Sequence, residues 1–183
     1  MNKKRSVPEN FEKSLMNLFN MVVNYMILKV LTEKNKKLAK VCAEVKCFDN
    51  KLHKLLDNMK ETMYKNKGIG LAAPQVGILL RVVVIDIGKD YFELINPKII
   101  ESSGEQQNTE GCLSCPGVFG ITIRPKFVRA VGYNRNNELF EVFGENLKSC
   151  AICHELDHLE GILFKSRLAK FKDPAPNKLF WKK

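Results

Sequence analysis

The chain has 183 residues, of which 45% are hydrophobic and 27% charged, with a formal net charge of +10. This size and composition suit one soluble domain with a sizeable core and exclude a disordered chain. No apolar stretch is long enough to cross a bilayer and no signal-peptide cleavage site is evident, so we expect neither a membrane protein nor a secreted one.

The basic residues indicate possible binding partners, and the cysteines indicate the redox state of the compartment. The positive charge could serve contact with ribosomal RNA, or it could be spread over a solvated surface. The lysines are scattered and not interleaved with aromatic residues, which favours the solvated surface, and we expect no DNA partner. Six cysteines without a secretion signal predict free thiols or metal ligands in a reducing compartment.

The first half of the chain contains one clear helix. Residues 1–25 are interpreted as an N-terminal extension with a moderately apolar helical stretch, and the main domain is expected to begin at Met26. A helix is predicted from Asn50 to Lys65, with Asp49 as its N-cap and Gly68 as its stop. Its apolar side recurs at helical spacing and predicts core packing, through Leu52, Leu55, Leu56, Met59 and Met63.

The second half is predicted to be mainly strands. A loop of small residues at 68–77 precedes a β-branched strand at 81–87, and further strands are expected at 91–95, 120–124, 127–133 and 139–143. A last helix is predicted at 146–160, followed by a basic tail at 169–183. We therefore expect an α+β fold with antiparallel or mixed sheets packed around the C-terminal helix, and a further helix N-terminal to them.

The predicted last helix carries the pattern His154-Glu155-Leu156-Asp157-His158. Residues four apart lie on one helix face, so the two imidazoles can bind one metal ion while Glu155 lies beside it. A catalytic site needs a third ligand, and little acidic or imidazole material follows His158. The third ligand is therefore expected upstream, and a cysteine thiolate is the candidate. Cys150 is disfavoured because Cys150, His154 and His158 would spread about 12 Å along one helix. Cys112, beside Gly111, is better placed.

Three motifs carry a resemblance to a known family. They are Gly68-Ile69-Gly70-Leu71-Ala72-Ala73-Pro74-Gln75, then Glu110-Gly111-Cys112-Leu113-Ser114, then His154-Glu155-Leu156-Asp157-His158-Leu159-Glu160-Gly161. In order and approximate spacing they resemble the motifs of peptide deformylase. The resemblance covers roughly residues 26–168, which would form the catalytic domain.

The resemblance implies a metal-dependent hydrolase that removes the formyl group from the N-terminal formylmethionine of newly made proteins. Cys112, His154 and His158 would hold Fe²⁺, with Zn²⁺, Ni²⁺ or Co²⁺ as substitutes. The ion would activate water, and Glu155 would take its proton and pass it to the departing amine. The Gln75 side chain and the Leu113 backbone N–H would stabilise the oxyanion.

The resemblance also implies how the substrate binds. Backbone groups of Gly68 and Gly70, and the Gly111 loop, would contact an extended peptide, although a tight turn needing glycine explains the first two equally well. Ile69, Leu147 and Cys150 are candidates for the methionine side-chain pocket, with a plain core cysteine as the alternative for Cys150.

Three residues depart from the family pattern. Cys115 stands where an aliphatic residue is usual, Phe119 where Arg or Tyr is frequent, and Cys153 where Gln is common. A Glu110–Arg124 pair could brace the Cys112 loop, or it could be an ordinary structural ion pair.

Two further expectations concern the competing class of protein and the cellular compartment. The competing hypothesis is a structural zinc ribbon built from two C-x-x-C pairs, Cys112 with Cys115 and Cys150 with Cys153, but it leaves both histidines unexplained. We expect a monomeric enzyme acting on formylmethionyl nascent peptides in a bacterial cytoplasm, with an organelle as the second choice.

Overall fold

The computed structural model describes residues 25–88 and 90–169. In these residues the helices are α1 (Asn50–Lys65) and α2 (Leu147–Leu159), and the strands are β1 (Gly70–Ala72), β2 (Val82–Asp86), β3 (Tyr91–Ser103), β4 (Gln106–Cys112), β5 (Cys115–Arg124), β6 (Phe127–Tyr133) and β7 (Leu139–Glu145). Short 3₁₀ helices lie at Lys36–Ala39, Ala73–Val76 and Phe164–Arg167. The predicted helical stretch in residues 1–24 and the basic tail beyond Ala169 lie outside the described residues.

Helix α1 has the predicted boundaries because its end signals are local. The Asp49 side chain accepts hydrogen bonds from the backbone N–H groups of Lys51 and Leu52, each at 3.0 Å, so the predicted N-cap is confirmed. At the other end, the Gly68 N–H donates to the Met63 carbonyl at 3.0 Å, and Lys67 adopts a left-handed φ of 57°. The helix therefore delivers the chain directly to the Gly68 segment.

A five-stranded antiparallel sheet has the strand order β1-β2-β3-β6-β7 and separates two hydrophobic clusters. Strand β2 is buried on both faces, so its alternate side chains contribute to different clusters. Val82 and Val84 pack in the cluster that contains the apolar side of α1, whereas Val83 and Ile85 pack in the cluster that contains α2. Strand β1 is left at one edge of the sheet, next to α2.

Strands β4 and β5 form a separate two-stranded sheet joined by a tight turn at Leu113 and Ser114. Arg124 at the end of β5 pairs with Asp157 of α2 at 2.6 Å, which ties the hairpin to the helix. The expected α+β class is confirmed, with antiparallel strands packed around the C-terminal helix. Neither α-helix in the described residues is long and apolar enough to span a membrane.

Several predicted strand boundaries were wrong. Residues 70–72 were expected in a loop but form β1, and the polar segment Gln106–Cys112 forms β4, which no apolar alternation announced. Strand β3 continues past Ile95 to Ser103, because a register shift at Asn96 and Pro97 lets pairing with β6 resume at Lys98. Strand β5 begins at Cys115, five residues before the predicted start at Gly120.

Candidate metal and catalytic site

Helix α2 places His154 and His158 on one face, four residues apart, with their ring centroids 5.0 Å apart. Both side chains are buried, because the helix lies between the five-stranded sheet and the β4–β5 hairpin. The His154 ring also stacks on Phe164 at 5.9 Å between centroids. The two imidazoles are thus fixed by packing.

Cys112 lies at the end of β4, where the hairpin turns, and reaches the same point. Its Sγ lies 3.2 Å from His158 Nε2, and one ligand atom each from Cys112, His154 and His158 lie within 4.8 Å of one another. One sulfur and two imidazole nitrogens at this separation fit a divalent transition-metal ion with a coordination position left for water.

Glu110 braces the His154 ring. Its Oε2 lies 2.6 Å from His154 Nδ1, which leaves His154 Nε2 for a metal ion. Arg124 holds the same carboxylate through Nε at 2.7 Å and a second contact at 3.1 Å, and Thr122 donates to it as well. Burial alone would raise the pKa of Glu110, but these hydrogen bonds hold it well below its usual value, so the brace is a carboxylate.

Arg124 extends the brace into α2. Its second terminal nitrogen donates to Asp157 Oδ2 at 2.6 Å, and Arg167 binds the other Asp157 oxygen at 2.8 Å. The Arg124 and Glu110 side chains are each 5% exposed, so this pair is shielded from solvent. The predicted Glu110–Arg124 pair is present, and its contact with His154 distinguishes it from a surface ion pair.

The two histidines have different electrostatic surroundings. Burial and the neighbouring His154 lower the pKa of His158 to about 3, so it is neutral, the form in which imidazole binds metals. Burial also favours the neutral form of His154, but hydrogen bonds to Cys112 and Glu110 raise its pKa to about 10. The Cys112 and Glu110 side chains thus favour a positive charge at His154. That charge is either the proton of the imidazolium or a bound metal cation.

Glu155 lies next to the ligands and has an unpaired oxygen. Its side chain is buried, and Oε2 has no hydrogen-bond partner in the described residues. Burial, together with the Glu110 charge, raises the pKa of Glu155 to about 7 although His154 opposes the shift. Strand β1 passes so close that a Cβ at Gly70 would lie 2.8 Å from Glu155 Cγ and Cδ. Glycine is required here for the carboxylate to keep its place.

Gln75 presents its amide nitrogen to the site. The Gln75 Oε1 accepts a hydrogen bond from the Ala72 N–H at 2.7 Å, which fixes the orientation of the amide. Its Nε2 then lies 3.5 Å from Cys112 Sγ and 3.2 Å from Ser114 Oγ. The Gly68–Gly77 segment therefore supplies a buried hydrogen-bond donor beside Cys112.

A cavity of about 700 Å³ opens onto these groups. All the residues expected to contact substrate line it: Gly68, Ile69, Gly70, Gly111, Leu113, Leu147 and Cys150. The Cys150 thiol donates to Glu110 Oε1 at 3.4 Å, so this cysteine packs against the brace as well as the cavity. Ile69, Phe119 and Leu147 are 44%, 58% and 50% exposed, which makes the rim apolar.

The sequence interpretation did not identify two residues of the site, one behind Glu110 and one in the cavity wall. Thr122 was not linked to Glu110, and Asn108 was not recognised as lining the cavity. Counting back in twos along β4 from Cys112 reaches Glu110 and then Asn108, so strand alternation would have found the latter. That signal was lost because β4 was not predicted.

The four-cysteine zinc ribbon is wrong. Within residues 25–88 and 90–169, the one group of metal-binding side chains is Cys112 with His154 and His158. Cys150 and Cys153 lie inside α2, and the Cys115 thiol is directed to Glu33 at 3.8 Å. Burial raises the pKa of Cys115 and of Cys153 to about 11, which favours the protonated thiols.

Comparison with known proteins agrees with this geometry. A family model described as polypeptide deformylase matches residues 27–174. The peptide deformylase of Acetivibrio thermocellus is 52% identical over 136 residues, which cover 74% of this chain and 80% of that protein.

Solved structures give the same result. A peptide deformylase from Legionella pneumophila has a TM-score of 0.77 and 39% identity, covering 79% of this chain and 87% of that one. A class I type b peptide deformylase from Acinetobacter baumannii, solved with Met-Ala-Ser bound, has a TM-score of 0.76 and 30% identity, covering 78% and 99% respectively. The chain described here therefore belongs to the polypeptide deformylase family.

Proposed function

We propose that the cavity beside Glu155 is where this metallohydrolase acts on its substrate. The enzyme removes the N-formyl group from newly synthesised polypeptides and releases formate. The observation that carries the assignment of the site is the convergence of three ligand atoms within 4.8 Å next to a buried carboxylate with an unpaired oxygen.

The metal site in this proposal consists of Cys112, His154 and His158, and its ion is Fe²⁺. Zn²⁺, Ni²⁺ and Co²⁺ fit the same donor set as substitutes, because imidazole and thiolate bind all of these ions. When bound, a divalent ion here polarises the formyl oxygen and lowers the pKa of water. The Glu110 brace keeps His154 oriented for this task.

Glu155 moves the proton. Water adds its hydroxyl group to the formyl carbon, and Glu155 takes the proton that this addition releases. The C–N bond then breaks, Glu155 returns the proton to the departing amine, and formate leaves. A pKa raised by burial suits a group that must both accept and donate a proton near neutral pH.

Gln75 and Leu113 stabilise the oxyanion formed during the addition. The Gln75 Nε2 is aimed beside Cys112 because the amide oxygen is held by Ala72. The Leu113 N–H follows Cys112 in the hairpin turn. Donors of this kind each contribute about 3 kcal/mol to transition-state stabilisation in other hydrolases.

The peptide binds in an extended conformation along strand β1, the edge of the five-stranded sheet. An edge strand offers free backbone groups to a further strand, so Gly68, Ile69 and Gly70 would pair with the peptide, with Gly111 on the other side. The methionine side chain enters the part of the cavity at Ile69, Leu147 and Cys150. The relative from Acinetobacter baumannii, with Met-Ala-Ser bound, supports this class of ligand.

The setting of the reaction follows from the relatives and the charge. The matching curated relatives include bacterial enzymes, which supports a bacterial cytoplasm, with an organelle as the second choice. We also propose that the enzyme is a monomer. The net charge of +10 would allow contact with ribosomal RNA, but the scattered lysines favour a solvated surface.

Replacing Glu155 by alanine tests the proposal. Formate release from formyl-Met-Ala-Ser, measured with Fe²⁺-loaded protein under anaerobic conditions, is expected to fall by about 10²–10⁴-fold. The metal content is expected to stay unchanged because Glu155 is not a ligand. Glu160→Ala is the matched control, since Glu160 lies at the end of the same helix and is half-exposed in a pair with Arg81. Full activity in Glu155→Ala would remove Glu155 from the mechanism.

A further inference from the structure

Asn108 has a buried amide nitrogen that nothing in the described part of the chain satisfies. The residue lies on β4 and lines the catalytic cavity. A buried N–H group without an acceptor typically costs about 1–3 kcal/mol. Because that nitrogen is also closed to solvent, it reaches a ligand only after the amide rotates about its last bond.

Contacts on either side locate Asn108 within the cavity. Gln106, Asn108, Glu110 and Cys112 alternate with their neighbours and lie on one face of β4. Gln106 Nε2 donates to the Asn146 carbonyl at the start of α2 at 2.9 Å, whereas Glu110 contacts Cys150 Sγ at 3.4 Å. Asn108 lies between these two contacts, so its side chain is beside the first turn of α2.

The cavity is also lined by the apolar side chains of Ile69, Leu147 and Ala151 and by Cys150. Asn108 lies two residues before Glu110 on β4, on the side away from Cys112. A substrate whose formyl group is at Glu155 would direct its first side chain here. Rotation of the Asn108 amide about its last bond can present either nitrogen or oxygen to that side chain.

We propose that Asn108 determines specificity for the first residue of the substrate by donating a hydrogen bond to an acceptor at the sulfur position of its side chain. The inference rests on the proposed function, because it takes the cavity as the substrate site. A thioether sulfur is a weak acceptor, a sulfoxide oxygen is a strong one, and the methylene of norleucine is none. Asn108 therefore favours methionine over norleucine and extends the substrate range to chains that begin with formylmethionine sulfoxide.

The test compares three peptides that differ at one atom position. They are formyl-Met-Ala-Ser, formyl-norleucyl-Ala-Ser and formyl-methionine-sulfoxide-Ala-Ser, and kcat/KM is measured for each. Asn108→Leu removes the amide at similar volume. Gln107→Leu is the matched control, because Gln107 is an exposed amide on the opposite face of the same strand. Asn108→Ala is a second variant in case leucine does not fit.

The result expected is a change in ratios. In Asn108→Leu the sulfoxide-to-norleucine ratio of kcat/KM should fall by about 5–10-fold, the worth of one neutral hydrogen bond. The methionine-to-norleucine ratio should fall by about twofold because sulfur accepts weakly. The ratios in Gln107→Leu should match those of the wild type.

Three results would overturn the proposal. The first is unchanged ratios in the Asn108 variants, and the second is an equal loss for all three peptides, which would indicate a contact with the peptide backbone. The third needs no variant: a wild-type enzyme that prefers norleucine to methionine has a purely apolar pocket. Failure to hydrolyse formyl-Met-Ala-Ser at all would instead contradict the proposed function.

Discussion

Replacing Gly70 by alanine is expected to damage catalysis much more than stability. The backbone at Gly70 does not have a positive φ, so alanine is conformationally allowed. Its Cβ, however, would lie 2.8 Å from Glu155 Cγ and Cδ, well inside an ordinary carbon–carbon contact of about 3.5–4 Å. Glu155 must therefore give way.

The size of the effect follows from this displacement. Relief of the overlap requires the carboxylate to move by about 1 Å, and a misplacement of that size typically costs about 10²-fold in rate. The carboxylate is the mobile end of a side chain, so the cost to the free energy of unfolding should stay near the lower end of about 1–3 kcal/mol for an overpacked site. The three heavy atoms nearest to the new methyl group all belong to Glu155.

The assay measures kcat and KM for formyl-Met-Ala-Ser, metal content by mass spectrometry, and the urea midpoint. A double-mutant cycle with Glu155→Ala separates the contact from other effects, because the truncated residue leaves room for the methyl group. Gly70→Ala should then have no further effect on the residual kcat. Wild-type kcat in the single variant, or the same proportional loss in both backgrounds, would refute the reasoning.

Substitutions at two other positions, Glu110 and Asp49, probe the brace and the fold. Glu110→Gln leaves the buried Arg124 with Asp157 as its remaining carboxylate partner and weakens the orientation of His154. We expect a loss of at most about 3 kcal/mol in urea unfolding and about 10–100-fold in metal affinity by chelator competition. Unchanged metal affinity would count against the brace. Asp49→Ala removes both N-cap hydrogen bonds of α1 and should lower the urea midpoint without altering kcat, whereas Asp49→Asn should retain most of the stability. Equal losses in the two Asp49 variants would show that the cap does not act through its side-chain acceptor.

The helices were more predictable than the strands because their signals are local, and of the predicted site the convergence of Cys112, His154 and His158 is observed. Asp49 and the apolar spacing fixed α1, and α2 begins and ends within one residue of its predicted bounds. The alternation of Val82–Ile85 could not be seen, because a strand buried on both faces is apolar throughout, yet its β-branched run still predicted a strand.

Strand β4 was missed for a different reason. Its residues Gln106 to Thr109 are polar on both faces, because one face is exposed and the other contributes to the cavity. The pairing with β5 that makes it a strand is not encoded in its own composition. Because the residues of β4 that face the cavity are polar, β4 lacks the alternation of apolar and polar residues from which a strand is predicted. Asn108 was not identified for the same reason.

The Arg124 guanidinium joins three parts of the chain that are distant in sequence: Glu110 on β4, its own strand β5, and Asp157 on α2. The same group orients a histidine beside the reacting centre and holds the hairpin to the helix. Loss of Arg124 leaves the buried Glu110 carboxylate without its cation, and loss of either carboxylate leaves Arg124 with one partner instead of two, so an acceptable replacement has to be made in concert. Among related sequences, positions 110, 124 and 157 are therefore expected to vary as a set, and selection for activity and selection for folding act on them together.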